Sequence, residues 1–409
     1  MTGFFHRVPL RPRVEVGRLA AADGDVKKSH RMSRDADGYA PEWVTVRTSP
    51  GHPTKGDADV RTPQRLLASA LAALTVVGAL AGCSRADSSA APAADQGAAG
   101  EVRVGFFPNV THAPALIGVK KDFFKNELGS TKLTTQTFNA GPEEVNALLG
   151  GSLDVAFIGS GPAINAFTKS KGAIQLVSGA VSGGAQLVVK PDITSVEGLK
   201  GKNIATPQLA NTQDVALKKF LAGKQLTDQV KITNLDNSKT LDAFKKGEVD
   251  GGWLPEPWAS RLVLDAGAKV LVDEKTLWPG GRFPSTVVIV RSEFLQQHPD
   301  TVRALLKGEL AAIGWAKANP AEAKTVVNGA LKELAGSTLS AAVLDRAFSG
   351  IELTTDPIAA EFPQLAQDSV TAGVVKSAVA LKGFADFGPL NEVLKAQNLP
   401  AVEAPELTK

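Results

Sequence analysis

The chain has 409 residues, with 45 Lys+Arg against 42 Asp+Glu, five histidines and one cysteine. Residues 1–82 hold 12 of the basic and 8 of the acidic side chains, which leaves 33 and 34 for 83–409 and no basic field that would attract nucleic acid. A single cysteine excludes a disulfide framework and a cysteine metal cluster, and the length beyond residue 82 suffices for two domains with proper cores.

Residues 1–59 are polar, rich in Arg, Asp, Gly and Pro, and carry neither a helical nor a strand period. They are expected to be a disordered extension, or an untranslated one, since Val60 fits a GTG start. Arg61 and Arg65 then precede an apolar run from Leu66 to Ala81, which is shorter than the ~20 residues of a membrane span. Basic flank, short apolar segment and small residues describe an export signal over 60–82. Leu80-Ala81-Gly82-Cys83 resembles the lipobox of bacterial lipoproteins, which implies lipid attachment at Cys83 and a location on the outer face of the cell membrane. Residues 83–100, rich in Ala, Ser and Gly, read as a flexible tether.

From Glu101 onward, short β-branched runs alternate with helical segments. Strands are expected over Val102–Pro108, Lys132–Phe138, Asp154–Gly159, Ile174–Ala180 and Gln186–Lys190. Helices are expected over Ala113–Phe124, Pro142–Leu149 and Pro162–Thr168. A second series follows Pro191, with strands at Lys202–Pro207, Val230–Leu235, Asp250–Leu254 and Lys269–Val272, then Val287–Arg291. Beyond Glu293 the chain reads as mostly helix, punctuated by Pro299, Pro320 and Pro357. This alternation specifies α/β sheets with helices on their faces. A weak internal repeat links the halves: the segment 147–158, with Gly151 and Asp154, aligns with 243–254, with Gly247 and Asp250.

Several of these stretches resemble solute-binding lipoproteins for nitrate, taurine and aliphatic sulfonates. They are Val104-Gly105-Phe106-Phe107-Pro108-Asn109-Val110-Thr111-His112, Gly151-Ser152-Leu153-Asp154-Val155-Ala156-Phe157-Ile158-Gly159, Leu199-Lys200-Gly201-Lys202-Asn203-Ile204-Ala205, and Asp250 through Glu256-Pro257. The resemblance runs from about Val102 to the C-terminus. It implies a periplasmic-binding-protein fold of type II: two α/β lobes with a cleft between them and two crossover hinge strands. Lobe 1 is expected at 101–190 and 288–409, lobe 2 at 191–287, with hinges near Lys190–Ser195 and Arg282–Arg291. The implied function is capture of a small anionic solute, an aliphatic sulfonate by preference, and its delivery to the permease and ATPase subunits of an ABC importer. The protein is expected to be a monomer, with no cofactor, no metal, no catalytic role and no nucleic-acid partner.

Ligands of open α/β sheets bind beyond the carboxyl ends of strands, where helix N-termini present free N–H groups. That rule selects Asn109, Thr111 and His112 after the first strand, and Asn139 after the second. It also selects Ser160 and Gly161 after the third, Ser182 before Gly183-Gly184, and Gln208, Asn211 and Thr212 in the second lobe. Trp253, near a strand end, would wall the apolar part of a ligand, and Arg282 would neutralise a sulfonate as a bidentate donor. Glu256 reads as a helix-start residue; only a ligand with an amine, such as taurine, would give it a binding role. The rival functions are binding of nitrate, taurine or a thiamine-pyrimidine precursor, a sensor ectodomain, and a pyrimidine-synthase-like enzyme. The last lacks its cysteine-rich iron-binding motif here.

Overall fold

The computed structural model describes residues 94–377 and 380–408. The expected extension at 1–59, the signal at 60–82 and Cys83 lie outside the described residues. The end of the expected tether is not loose. The Gln96 N–H donates to Gln297 O at 2.7 Å and the Ala99 N–H to Thr301 Oγ1 at 2.8 Å, so this stretch docks on the domain.

The first strand, β1 (Glu101–Phe106), runs into α1 (Ala113–Lys120). The expected helix 113–124 is broken, because Asp122 adopts φ 57° and a separate α2 (Phe123–Leu128) follows. Next come β2 (Lys132–Thr137), α3 (Gly141–Leu149), β3 (Val155–Ile158), α4 (Ser160–Ser170) and β4 (Ile174–Gly183). The second unit contains β5 (Ala185–Val189), β6 (Asn203–Thr206), α5 (Thr212–Gly223), β7 (Lys231–Asn234) and α6 (Asn237–Lys246). It ends with β8 (Gly251–Pro255), α7 (Trp258–Ala266) and β9 (Lys269–Asp273). The chain returns through β10 (Pro284–Arg291) to α8 (Ser292–Gln297), α9 (Pro299–Ala318), α10 (Pro320–Ala335) and α11 (Ala341–Ser349). A short β11 (Ile351–Leu353), α12 (Phe362–Thr371) and α13 (Gly388–Ala396) complete it.

Two sheets result. One has the order β11-β4-β10-β3-β1-β2, with β1 parallel to β2 and β3, and β10 antiparallel to both its neighbours. The other has the order β7-β6-β8-β5-β9, with β6 parallel to β7 and β8, and β5 antiparallel to β8 and β9. Each sheet is the centre of one lobe, the two-lobed α/β arrangement that the resemblance implies.

Strands buried on both faces send alternate residues into different cores. In the second sheet Leu187, Ile204 and Trp253 pack with Phe220 on one face, while Val188, Ala205 and Leu254 pack with Phe244 and Leu262 on the other.

The structure moves both expected lobe boundaries. The segment 185–190, expected in lobe 1, forms β5, which pairs with β8 and β9 of the second sheet. The first crossing is therefore at Gly183–Gly184, whose φ values of +79° and +77° turn the chain between sheets at little steric cost. The return is complete by Pro284, four residues before the expected start of the second lobe-1 segment at 288.

The internal repeat is visible as hydrogen bonding. Asp154 exchanges backbone and side-chain hydrogen bonds with Arg103 of β1: Asp154 N–H to Arg103 O at 2.9 Å, and Arg103 N–H to Asp154 Oδ2 at 3.0 Å. Asp250 does the same with Asn203 of β6, at 2.7 and 2.9 Å. Arg291 of the returning strand donates its N–H to Asp154 O and its guanidinium to Oδ1, while Lys190 donates its N–H to Asp250 O and its ammonium to Oδ1.

Candidate binding site

A small cavity of about 30 Å³ lies between the lobes at the carboxyl ends of the strands. Five helices begin on it. Lobe 1 supplies the approach to α1 (Asn109, Thr111, His112), the start of α3 (Asn139, Ala140, Gly141) and the start of α4 (Gly159, Pro162). Lobe 2 supplies the starts of α5 (Asn211, Thr212, Gln213) and α6 (Asn237). Each start presents the positive end of a helix dipole. Those of α3, α4, α5 and α6 also leave backbone N–H groups without a helical partner, whereas at α1 the Thr111, His112 and Ala113 N–H groups are taken by Glu256 O, Asn109 O and Val110 O. Among the described residues, no Lys, Arg, Asp or Glu lines this cavity. Positive potential is supplied there without a formal charge.

His112 is buried, and its ring packs against Phe107 at a tilt of 36°, with centroids 4.3 Å apart. Burial lowers its pKa to about 3, so the imidazole is neutral at physiological pH. The Phe107 N–H donates to its Nδ1 at 3.2 Å, which places the ring proton on Nε2. At the opposite wall, Asn211 Oδ1 caps α5 by accepting the Asp214 N–H at 2.9 Å, while Asn211 Nδ2 donates to Gln213 Oε1 at 3.1 Å.

The lobes touch across the cleft. A Cβ at Gly159 would overlap Thr212 Oγ1, so the glycine lets the starts of α4 and α5 meet. Trp258 of α7 donates its indole N–H to Asn109 Oδ1 at 2.8 Å, and Gln208 Nε2 donates to Glu143 Oε1 at 3.0 Å on the rim.

Of the residues expected from the sequence, the cavity gathers Asn109, Thr111, His112, Asn139, Asn211 and Thr212. Ser160 is fully buried behind Gly159, its Oγ without a partner, and Gly161 packs on the Thr212 backbone; neither lines the cavity. Gln208 is spent on the rim. Three placements are corrected. Trp253 lies mid-strand, where both faces of the sheet are covered; it packs edge-on against Phe220 and donates to Glu274 Oε2 at 2.6 Å. Burial raises the Glu274 pKa to about 7, against the opposing hydrogen bond from Trp253. Arg282 is held outside the cavity by Glu352 and Asp356, at 3.0 Å each. Ser182 sits inside β4, paired with Pro284 and Glu352 of the flanking strands.

Glu256 also lies outside the cavity. Its Oε2 accepts the Ser260 N–H at 3.1 Å in the first turn of α7, as the helix-start reading requires, and its Oε1 takes Arg346 Nη1 at 3.0 Å. Burial raises its pKa, opposed by Ser260 and Arg346. The same guanidinium reaches Ser260 Oγ and Gln186 Oε1 at 2.7 and 2.6 Å, so α11 is tied to the second lobe beside the crossing.

Sequence reasoning missed Phe107, Gln213, Asn237, Ser285 and Thr286. Asn237 follows a strand and opens a helix, so the rule that selected Asn211 would have found it. Ser285 and Thr286 begin the antiparallel β10, where no helix follows and the rule is blind.

The NMT1-like family model matches residues 95–330, more than half of the chain. The chain belongs to this family. The taurine-binding periplasmic protein of Escherichia coli (strain K12) is 30% identical over 208 residues, 51% of this chain and 64% of that protein. The match therefore spans less than two thirds of that relative's length. A putative aliphatic sulfonates-binding protein of Bacillus subtilis (strain 168) is 28% identical over 230 residues, 54% of this chain and 67% of its own. Among solved structures, the alkanesulfonate-binding protein SsuA from Xanthomonas axonopodis pv. citri, bound to MOPS, superposes with a TM-score of 0.57. The identity is 21%, over 76% of this chain and 98% of that one.

Proposed function

We propose that this NMT1-like chain is the solute-binding component of an ABC importer, capturing a small oxyanion, best an aliphatic sulfonate, between its lobes and handing it to the permease. The observation that carries this reading is the convergence of five helix N-termini on a cavity lined, among the described residues, by no charged side chain. An oxyanion has several acceptor atoms and spread charge, and such a cage satisfies it with donors alone. Phe107, Pro162, Pro207 and Pro255 offer apolar wall for a short alkyl group.

Taurine is the second reading, supported by the relative that bears its name and by Asn237, whose Oδ1 lacks a partner among the described residues and could accept from an ammonium. Against it, the acidic groups nearby are engaged: Glu256 by Arg346, and Asp214 by Lys218, Thr206 and the Ala210 N–H. In this reading the lobes swing about Gly183–Gly184 and the 274–284 return, Cys83 carries the lipid that holds the exported monomer at the membrane, and no reaction is catalysed.

A thermal-shift panel of ethanesulfonate, butanesulfonate, taurine, nitrate, bicarbonate and formylaminopyrimidine tests this function. A ligand at 100 times its Kd stabilises the folded state by about 2.7 kcal/mol, and the alkanesulfonates are expected to do so. Stabilisation by the pyrimidine alone, or by none of the oxyanions, would overturn the proposal.

A further inference from the structure

Side-chain amides can present either an oxygen or an N–H, and a site for oxyanions must prevent the first. In this cavity the fold decides the matter with groups that can only donate. The Asp214 backbone N–H fixes Asn211 Oδ1; Asn211 Nδ2 then has to meet Gln213 Oε1, and the Gln213 NH₂ is what remains. The Phe107 N–H similarly consumes the acceptor nitrogen of His112. Both devices are local to one lobe. The third crosses between lobes: the indole Nε1–H of Trp258 donates to Asn109 Oδ1 at 2.8 Å, and the Asn109 NH₂ cannot take the oxygen's place there, because two donors would face each other.

We infer that Trp258, which does not itself line the cavity, is a positioning residue for specificity: it turns the Asn109 amide so that its NH₂ is the group offered to the ligand. Asn109 is 4% exposed and lines the cavity, and its Nδ2 donates to no protein group among the described residues. The guanidinium of Arg261 lies over the Trp258 ring, 5.2 Å from its centroid, and holds the indole in place. Since Trp258 belongs to lobe 2 and Asn109 to lobe 1, this orientation is enforced only where the lobes meet. Selection for an acceptor-only ligand is thereby joined to closure.

The inference rests on the oxyanion reading, and its test separates the two. Calorimetric titrations compare ethanesulfonate with ethanesulfonamide, which has nearly the same shape but carries an NH₂ donor. The wild-type protein is expected to prefer the sulfonate. Trp258→Phe keeps an aromatic ring but frees the Asn109 amide to turn. It is expected to weaken sulfonate binding by about tenfold, while the sulfonamide loses less, so the preference narrows. Asn109→Asp, in which one oxygen still accepts from Trp258 and the other faces the ligand, is expected to lose sulfonate affinity by about a hundredfold or more. In an Asn109→Ala background, Trp258→Phe is expected to change the ratio no further. A merely structural Trp258 would lower both affinities alike; an unchanged sulfonate-to-sulfonamide ratio in Trp258→Phe overturns the inference while leaving the function intact. A wild-type protein that binds no oxyanion overturns both.

Discussion

At the amino ends of the two sheets, Asp154 and Asp250 occupy matching places: Asp154 is joined to Arg103 of β1 and to Arg291 at the end of β10, and Asp250 to Asn203 of β6 and to Lys190 just after β5. At the carboxyl ends, the cavity is lined by amides, hydroxyls, one neutral imidazole and helix starts, with no formal charge among the described residues. Charge is thus used where strands begin and kept out of the cavity where they end. A buried ion pair fixes geometry but would bind an anion through one strong contact. Distributed dipoles hold an anion through many modest ones and let it go.

The two aspartates also differ from each other. Asp154 is 2% exposed and answers two arginines, Arg103 and Arg291, whereas Asp250 is 21% exposed and answers Lys190 alone. Asp154→Ala is therefore expected to give the largest effect, a loss of about 3 kcal/mol in urea unfolding, because it strands two partly buried guanidinium groups. An equal loss in Asp250→Ala would break the contrast; about 1 kcal/mol is expected there, as for a single partly exposed pair.

Between these lies a change at the other end of the sheets. Gly159→Ala puts a methyl group against Thr212 and is expected to weaken ligand binding by about tenfold, since α4 and α5 can no longer meet. The unliganded melting temperature should hardly move. A variant that binds as tightly as wild type would show that this contact is not part of the bound state.

The smallest expected effect is in pH. Burial pushes the Asp154 pKa up, but hydrogen bonds from Arg103 and Arg291 outweigh it and hold the group below its ordinary value. Its stabilisation is present above the unfolded-state value and is lost as pH falls through the folded one, so acid unfolding should begin later in the titration for Asp154→Asn than its lower starting stability suggests. His112, depressed to about 3, also costs stability as pH falls from 6.5 toward 3, because only the unfolded state takes up the proton readily. Ligand affinity, by contrast, should vary by less than about twofold between pH 5 and 8, since His112 stays neutral throughout. A steep rise in affinity on acidification would mean that a charged imidazole takes part.

Much of this was legible beforehand because strand-end and helix-start signals are local. Asn109, Thr111, His112, Asn139, Asn211 and Thr212 each follow a β-branched run and precede a helix, and all six reach the cavity. What the sequence hid depends on which partner lies across space. Trp253 is two residues from the end of its strand, yet the sheet is covered on both faces and only Pro255, the last residue of β8, reaches the cleft. Arg282 looked free to meet an anion because Glu352 and Asp356, which hold it, are 70 and 74 residues away. The role of Trp258 was invisible for the same reason: its partner, Asn109, is 149 residues distant. The crossing at Gly183–Gly184 was read as a ligand loop, since a glycine pair signals an unusual backbone without saying whether a ligand or a turn requires it.

The most direct measurement is a crystal structure of the protein with ethanesulfonate. The account predicts the sulfonate oxygens between the starts of α1, α4 and α5, receiving hydrogen bonds from Asn109 Nδ2 and His112 Nε2–H, with no lysine or arginine in contact. A sulfonate found against a cationic side chain, or outside the space between the lobes, would contradict it.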